Sequence, residues 1–307
     1  MIYLFLKDKN LEMSKINKIL VTGGAGFVGS NLIKLFLKKT NYKILSIDDY
    51  SSGTKLNHFK NSRIKYINGK TINIEKLIKK PEEIKSVFHF GEFARIYQSF
   101  LLMSECIDSN SVGSNAVFNF CLKNKIKLIY SATSASLGNN GNDKNLSPYA
   151  FTKAKNLELL ENLKKWFNFK YEVIYFYNVY GPNQICKGRM STVIGIFEDH
   201  YKRNKPLPVV KPGSQTRRFT HIDDTINICF LAWKKNLCRH YSIANKKSYS
   251  LLEVARLFKS KIKLLPKRPG ERYASALINK NLSNKMYKYF GKISLKDYIK
   301  KIINKKN

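Results

Sequence analysis

Gly24-Ala25-Gly26-Phe27-Val28-Gly29 follows the apolar run Lys18-Ile19-Leu20-Val21 and opens a stretch with helical apolar spacing, Leu32, Ile33, Leu35, Phe36 and Leu37. Lys43-Ile44-Leu45-Ser46-Ile47 then reads as a second strand ending at Asp48, nineteen residues past Gly29. A bare glycine turn could carry the same three glycines, so the flanking strand, helix and carboxylate decide the reading. Gly24 permits a tight strand-to-helix turn, Gly26 lets backbone approach a pyrophosphate, and Gly29 lets the helix pack closely on the strand. The helix N-terminus then directs its amides at phosphate oxygens. A carboxylate at Asp48 suits an adenosine ribose and repels a 2′-phosphate, so NAD is expected rather than NADP.

The remaining alternation has the same form. Arg63–Ile67, Ser86–Phe90, Lys127–Tyr130 and Tyr171–Phe176 read as further strands, with helices over about 104–124 and Pro148–Phe167, the latter capped by Ser147. Strand and helix in turn predict a doubly wound parallel (Rossmann) sheet with ligands at its carboxyl edge. Beyond Gly181-Pro182 the pattern loosens, with prolines at 206, 208, 212, 266 and 269. The expected organisation is an extension over 1–14, a dinucleotide-binding domain over 15–180, and a smaller discontinuous cap over 181–307 with segments returning to the sheet.

Composition narrows the partners. The 307 residues are 43% hydrophobic, and no run approaches the roughly 20 apolar residues that span a bilayer. Five cysteines without a CxxC pair or His/Cys cluster imply reduced thiols in the cytoplasm and no structural metal. The net charge of +35 raises the possibility of a nucleic-acid or anionic-polymer binder. The lysines are nevertheless spread in ones and twos without interleaved aromatics, as on a solvated surface, so no specific nucleic acid is expected.

Tyr149 and Lys153 lie four apart on the helix that follows the fifth strand, hence on one helical face. YxxxK is common by chance, but its position and the motifs around it are not. With Thr22–Ser30, Asp48-Asp49-Tyr50-Ser51-Ser52-Gly53, Asn178-Val179-Tyr180-Gly181-Pro182, Arg217–Asp224 and Arg268-Pro269-Gly270-Glu271, the chain resembles the extended short-chain dehydrogenase/reductase family, specifically its nucleotide-sugar epimerases and dehydratases. The resemblance runs from Lys18 to about Ile302.

It implies an NAD-dependent oxidation at C4 of a nucleoside-diphosphate sugar, through a 4-keto species, supplying sugars for surface glycans, in a cytoplasmic homodimer. Tyr149 would be the base, with Lys153 and the nicotinamide charge lowering its pKa, and Thr133 would hold the reacting oxygen. The cofactor would meet Gly23, Gly26, Phe27, Val28, Gly29, Asp48, Asp49, Ser52, Phe90, Gly91, Glu92, Asn110, Tyr149 and Lys153. Asn178, Arg217 and Arg268 would hold the substrate, the arginines clamping its diphosphate. Family 4,6-dehydratases carry an Asp-Glu pair after the catalytic Thr. Ser134 and Ala135 stand there and cannot perform that proton transfer, which leaves a 4-epimerase or a 4-dehydrogenase. Glu92 is an unexpected acid after the fourth strand, Lys70 replaces an acidic residue that commonly touches adenine, and the run from Gly138 to Tyr149 is shorter than the family's usual segment.

Overall fold

A computed structural model describes residues 16–137, 143–235, 237, 239–271 and 286–306. The expected 1–14 extension and the start of the short segment at Gly138 lie outside these residues. Six parallel strands come first: β1 (Lys18–Thr22), β2 (Lys43–Asp48), β3 (Ile64–Asn68), β4 (Ile84–His89), β5 (Lys127–Thr133) and β6 (Tyr171–Phe176). Helix α1 (Phe27–Lys39) joins β1 to β2. Between β4 and β5 run α2 (Ile96–Leu101), α3 (Met103–Ile107) and α4 (Ser114–Lys123), and α5 (Pro148–Phe167) joins β5 to β6.

Successive strand residues face opposite sides, and both sides are apolar, as a sheet covered on two faces requires. Leu20, Val87, Leu128 and Val173 pack under α4 and α5 with Phe118, Leu160 and Leu163. Ile19, Val21, Phe88 and Ile174 pack on the other face with Phe36 of α1 and Phe230 of α7 (Ile222–Lys235). The sheet order is β14-β11-β6-β5-β4-β1-β2-β3, where β11 is His240–Ala244 and β14 is Met286–Phe290. The order reverses between β1 and β4, and the carboxyl ends of those two strands open a crevice there.

A second apolar cluster lies in the C-terminal part. Tyr180 of β7 (Val179–Tyr180), Phe197 of α6 (Val193–Lys202) and Val209 of β8 (Leu207–Val210) meet Val254 of α8 (Leu251–Leu257) and Ile299 of α9 (Leu295–Asn304). Three two-stranded ladders accompany it: β7 with β10 (Thr220–His221), β9 (Thr216–Arg218) with β12 (Ser248–Ser250), and β8 with β13 (Ile262–Leu265).

Two local details refine the expectations. The helical stretch expected over 104–124 is present, with a π-helical turn at Asp108–Gly113 joining α3 to α4. The apolar period continues across that turn, and hydropathy therefore cannot reveal it. The fourth strand spans Ile84–His89, two residues earlier at its start and one shorter at its end than expected, and the Phe90 amide still donates to the Thr22 carbonyl at 3.2 Å. Helix α5 begins and ends as its sequence implies: Ser147 caps Ala150 N at 3.1 Å, and Asn168 ends the helix in a left-handed conformation, φ +52°.

Candidate active site

The crevice is one end of a cleft of about 1390 Å³ that runs from the β1–α1 turn to the C-terminal cluster. That exceeds the roughly 300–1,000 Å³ of ordinary small-molecule sites and leaves room for two ligands. Among the described residues there is no His/Cys/Asp/Glu group able to hold a metal, and no helix is long and apolar enough to cross a membrane.

At the dinucleotide end the backbone is crowded. Gly23 has φ +71°, and a Cβ there would stand 2.7 Å from the Gly91 amide. A Cβ on Gly29 would stand 2.1 Å from the Gly23 carbonyl, which fixes the approach of α1 to the turn. Gly26 is the N-cap of α1 and supplies no side-chain cap, and Phe27 and Val28 line the cleft beside it. Phe90 and Gly91 close the β4 side, their amides donating to Thr22 Oγ1 at 3.2 and 3.1 Å.

Asp48 is buried at the end of β2, accepting from Ala25 N and Tyr50 N, each at 2.9 Å. Burial pushes its pKa up, and those two amides oppose the shift. Asp49 accepts from Ser51, and Asp49, Ser52 and Lys70 line the same end. An uncapped helix terminus beside a carboxylate is a fitting cradle for a pyrophosphate and an adenosine ribose. Asn110 is placed differently from expectation. It is fully buried and does not line the cleft. Its side chain accepts from Phe93 N at 2.7 Å and donates to Phe93 O at 3.0 Å, holding the loop after β4 from behind.

Thr133 ends β5, Tyr149 lies in the first turn of α5, and Lys153 follows one turn later; all three line the cleft. The Thr133 hydroxyl lies where it favours the ionised form of the Tyr149 phenol. Burial pushes the Tyr149 pKa up to about 12; the Thr133 hydroxyl opposes this, the Glu92 charge adds to it, and the Arg95 charge opposes it. Without ligand, Lys153 is engaged elsewhere. Its ammonium is ion-paired with Glu92, donates to the Ser131 carbonyl at 2.5 Å, and sits 4.6 Å over the Tyr130 ring. A neutralised lysine does little to favour a phenolate, so any lowering must come after Glu92 is displaced or a positive ligand arrives.

Glu92 has a side-chain exposure of 1%. Its Oε1 accepts from Ser114 Oγ at 2.8 Å, Tyr130 OH at 3.1 Å and Asn156 Nδ2 at 3.4 Å. Because Ser114 donates to Glu92, it accepts from His89 Nε2 at 3.0 Å. His89 Nδ1 then accepts from Thr22 Oγ1 at 2.7 Å, which fixes a neutral imidazole with its proton on Nε2. Burial pulls the His89 pKa down to about 4, in keeping with that state. The motif reading missed this network, although an acid three residues past a strand histidine was its visible trace.

On the substrate side Asn178, Arg217 and Arg268 all line the cleft. Asn178 has φ +39° and donates to the Arg218 carbonyl at 3.1 Å. Arg217 is buried and pairs with Glu271 at 3.1 Å, while Arg268 lies 4.9 Å over the Tyr97 ring. Ser134 and Ala135 are buried next to Thr133. Arg95, which no motif singled out, also lines the cleft.

A glycine turn at the switch point and a Thr–Tyr–Lys set facing it across one cleft define an enzyme of nicotinamide-dependent sugar chemistry. The profile of the NAD dependent epimerase/dehydratase family matches residues 19–244, and the chain belongs to that family. Its cofactor is NAD. A Methanocaldococcus jannaschii protein proposed to be a UDP-glucose 4-epimerase is 27% identical, the match covering 93% of this chain and 97% of that protein. The UDP-glucose 4-epimerase of Thermotoga maritima, solved with UDP-glucose, superposes with a TM-score of 0.82 at 23% identity, over 94% of this chain and 97% of that one. The UDP-glucuronic acid 4-epimerase of Bacillus cereus, solved with UDP-glucuronic acid and NAD, gives 0.80 at 25% identity over 94% and 98%.

Proposed function

We propose that the enzyme oxidises the C4 hydroxyl of a nucleoside-diphosphate sugar and returns hydride to the other face of the 4-keto sugar, acting as a 4-epimerase. The observation that carries this is the gathering of Thr133, Tyr149 and Lys153 on one cleft, with Tyr149 and Lys153 one helical turn apart. Bound NAD supplies the hydride acceptor and donor. Tyr149 Oη takes the C4 hydroxyl proton, and Thr133 holds the same oxygen. Lys153, once turned from Glu92, holds the nicotinamide ribose. Arg217 and Arg268 hold the diphosphate and Asn178 the adjoining sugar, which fixes C4 against Tyr149. Ser134 and Ala135 offer no acid–base pair, so the keto sugar is not dehydrated. A homodimer in the cytoplasm is part of the same reading, and light scattering of the purified protein tests its assembly.

The test is a rapid mixing of NAD-loaded enzyme with nucleotide sugars, read at the NADH band and by product mass. Little NADH and an equal-mass epimer are expected. A product two hydrogens lighter, with one NADH per site, makes the enzyme a 4-dehydrogenase, and loss of water makes it a dehydratase. Tyr149→Phe should keep NAD but lose at least about 100-fold in turnover, the usual weight of a general base.

A further inference from the structure

Arg95 sits in the loop between β4 and α2 and shares the cleft wall with Tyr149. Its Nε donates to the Ser191 carbonyl at 3.2 Å, Nη1 to the Ala94 carbonyl at 2.7 Å, and Nη2 to the Met190 carbonyl. A guanidinium carries five N–H groups, so one remains on each terminal nitrogen, the number a carboxylate takes from an arginine. Two other cleft cations are matched by carboxylates, Lys153 by Glu92 and Arg217 by Glu271. Among the described residues, none pairs with Arg95. Three neutral carbonyls orient the guanidinium and leave its charge uncancelled. A half-buried cation in that state is open to an anion that arrives with the ligand.

The location says which part of the ligand bears that anion. Met190, whose carbonyl Arg95 holds, packs in one small apolar cluster with Ala135 and Tyr149, so Arg95 stands beside the group that meets the C4 oxygen in the function proposed above, on which this inference rests. Arg217 and Arg268 already match the diphosphate, and Arg95 adds a further positive charge at the sugar. In a hexose the exocyclic carbon C6 is carried by C5, the ring neighbour of C4, and its oxidised form is a carboxylate. We propose that Arg95 selects a nucleoside-diphosphate uronate, binding the C5 carboxylate while Tyr149 works on C4.

The probes are two matched pairs, UDP-glucuronate with UDP-glucose and GDP-mannuronate with GDP-mannose, compared by kcat/KM on the full chain with NAD. Within a pair the base cancels. Wild-type enzyme should favour the acid of the accepted pair by about tenfold or more. Arg95→Met should lower the acid-to-neutral ratio by roughly ten- to hundredfold, the weight of charged hydrogen bonds. Arg95→Lys, which keeps the charge without the fork, should fall between, and it serves as the test if the methionine variant does not fold. Calorimetry with UDP and GDP alone separates a sugar contact from a diphosphate contact. Wild-type preference for the neutral sugar, an unchanged ratio in both variants, or an equal loss of bare-nucleotide affinity would each overturn the proposal. Failure of both members of both pairs to turn over counts against the proposed function instead, and UDP or GDP binding retained in that case marks the failure as one of chemistry.

Discussion

Replacing Glu92 with glutamine should cost the folded protein about 3 kcal/mol at pH 7. Removing one partner of a buried ion pair typically costs ~3–5 kcal/mol, because the other charge stays behind unpaired. The low end applies, since a glutamine oxygen can still accept from Ser114 and Tyr130, whereas its NH2 would confront the Lys153 ammonium. Lys153 would keep only the Ser131 carbonyl and the Tyr130 ring. For a chain of this length, roughly 2 °C per kcal/mol gives a Tm lowered by about 6 °C.

The deficit should also depend on pH. Burial already pulls the Lys153 pKa down, and Glu92 is the main force holding it up. Without Glu92 the folded pKa falls further below its unfolded value of about 10.4, so the unfolded state binds more protons and stability rises with pH. The gap between variant and wild type is therefore widest at low and neutral pH and narrows in alkali. Lys153→Met in the same chain should recover most of the loss, since an apolar replacement of both partners is often neutral. Thermal unfolding by circular dichroism, without nucleotide, from pH 6 to 9 measures all of this. A single variant within about 1 °C of wild type at pH 7, or a double variant no better than the single, would refute the reasoning.

Gly29→Ala puts a Cβ 2.1 Å from the Gly23 carbonyl, backbone against backbone, and should destabilise by about 3 kcal/mol and weaken NAD binding at least tenfold by calorimetry. Acid should unfold the protein through His89, whose folded pKa of about 4 lies below the unfolded ~6.5. The unfolded state takes up that proton first, so stability is full above pH 6.5 and falls by up to ~3 kcal/mol as pH drops towards 4, a slope that urea titrations should find reduced in His89→Gln. NAD should bind more tightly than NADP, and Asp48→Asn should narrow the difference; equal affinities in the wild type would remove Asp48 as the discriminating group.

Sequence made the sheet and its reversal legible because buried parallel strands and glycine turns leave local signatures, as at Lys18–Thr22, Tyr171–Phe176 and the Ser147-capped α5. The proposed catalytic trio was legible as a cluster for a similar reason, since spacing on one helix and the end of one strand bring Tyr149, Lys153 and Thr133 to one cleft. What stayed hidden depends on contacts between distant segments. Lys153 sits sixty-one residues from Glu92, and no periodicity announces that they pair. The ion pair that Lys153 makes without ligand was therefore hidden, because a free lysine and a paired one look identical in a motif. Arg95 has no signature either: its setting is made by the Met190 and Ser191 carbonyls, ninety-five and ninety-six residues away.

The π turn at Asp108–Gly113 makes the length of this stretch as consequential as its composition. A π turn holds one residue more than an α-helix would place in the same span. Deleting any one of residues 108–113 would let α3 and α4 fuse into a continuous helix, and everything beyond would be turned by about 100° relative to the sheet. Ser114 would swing out of register with both His89 and Glu92, and Asn110 would lose Phe93. A deletion that changes no side chain named in the chemistry would thus unhook the histidine, the glutamate and the loop after β4 together. The enzyme's timing marks are set by a count of residues here, and an insertion or deletion should be far less tolerated in these six positions than a substitution.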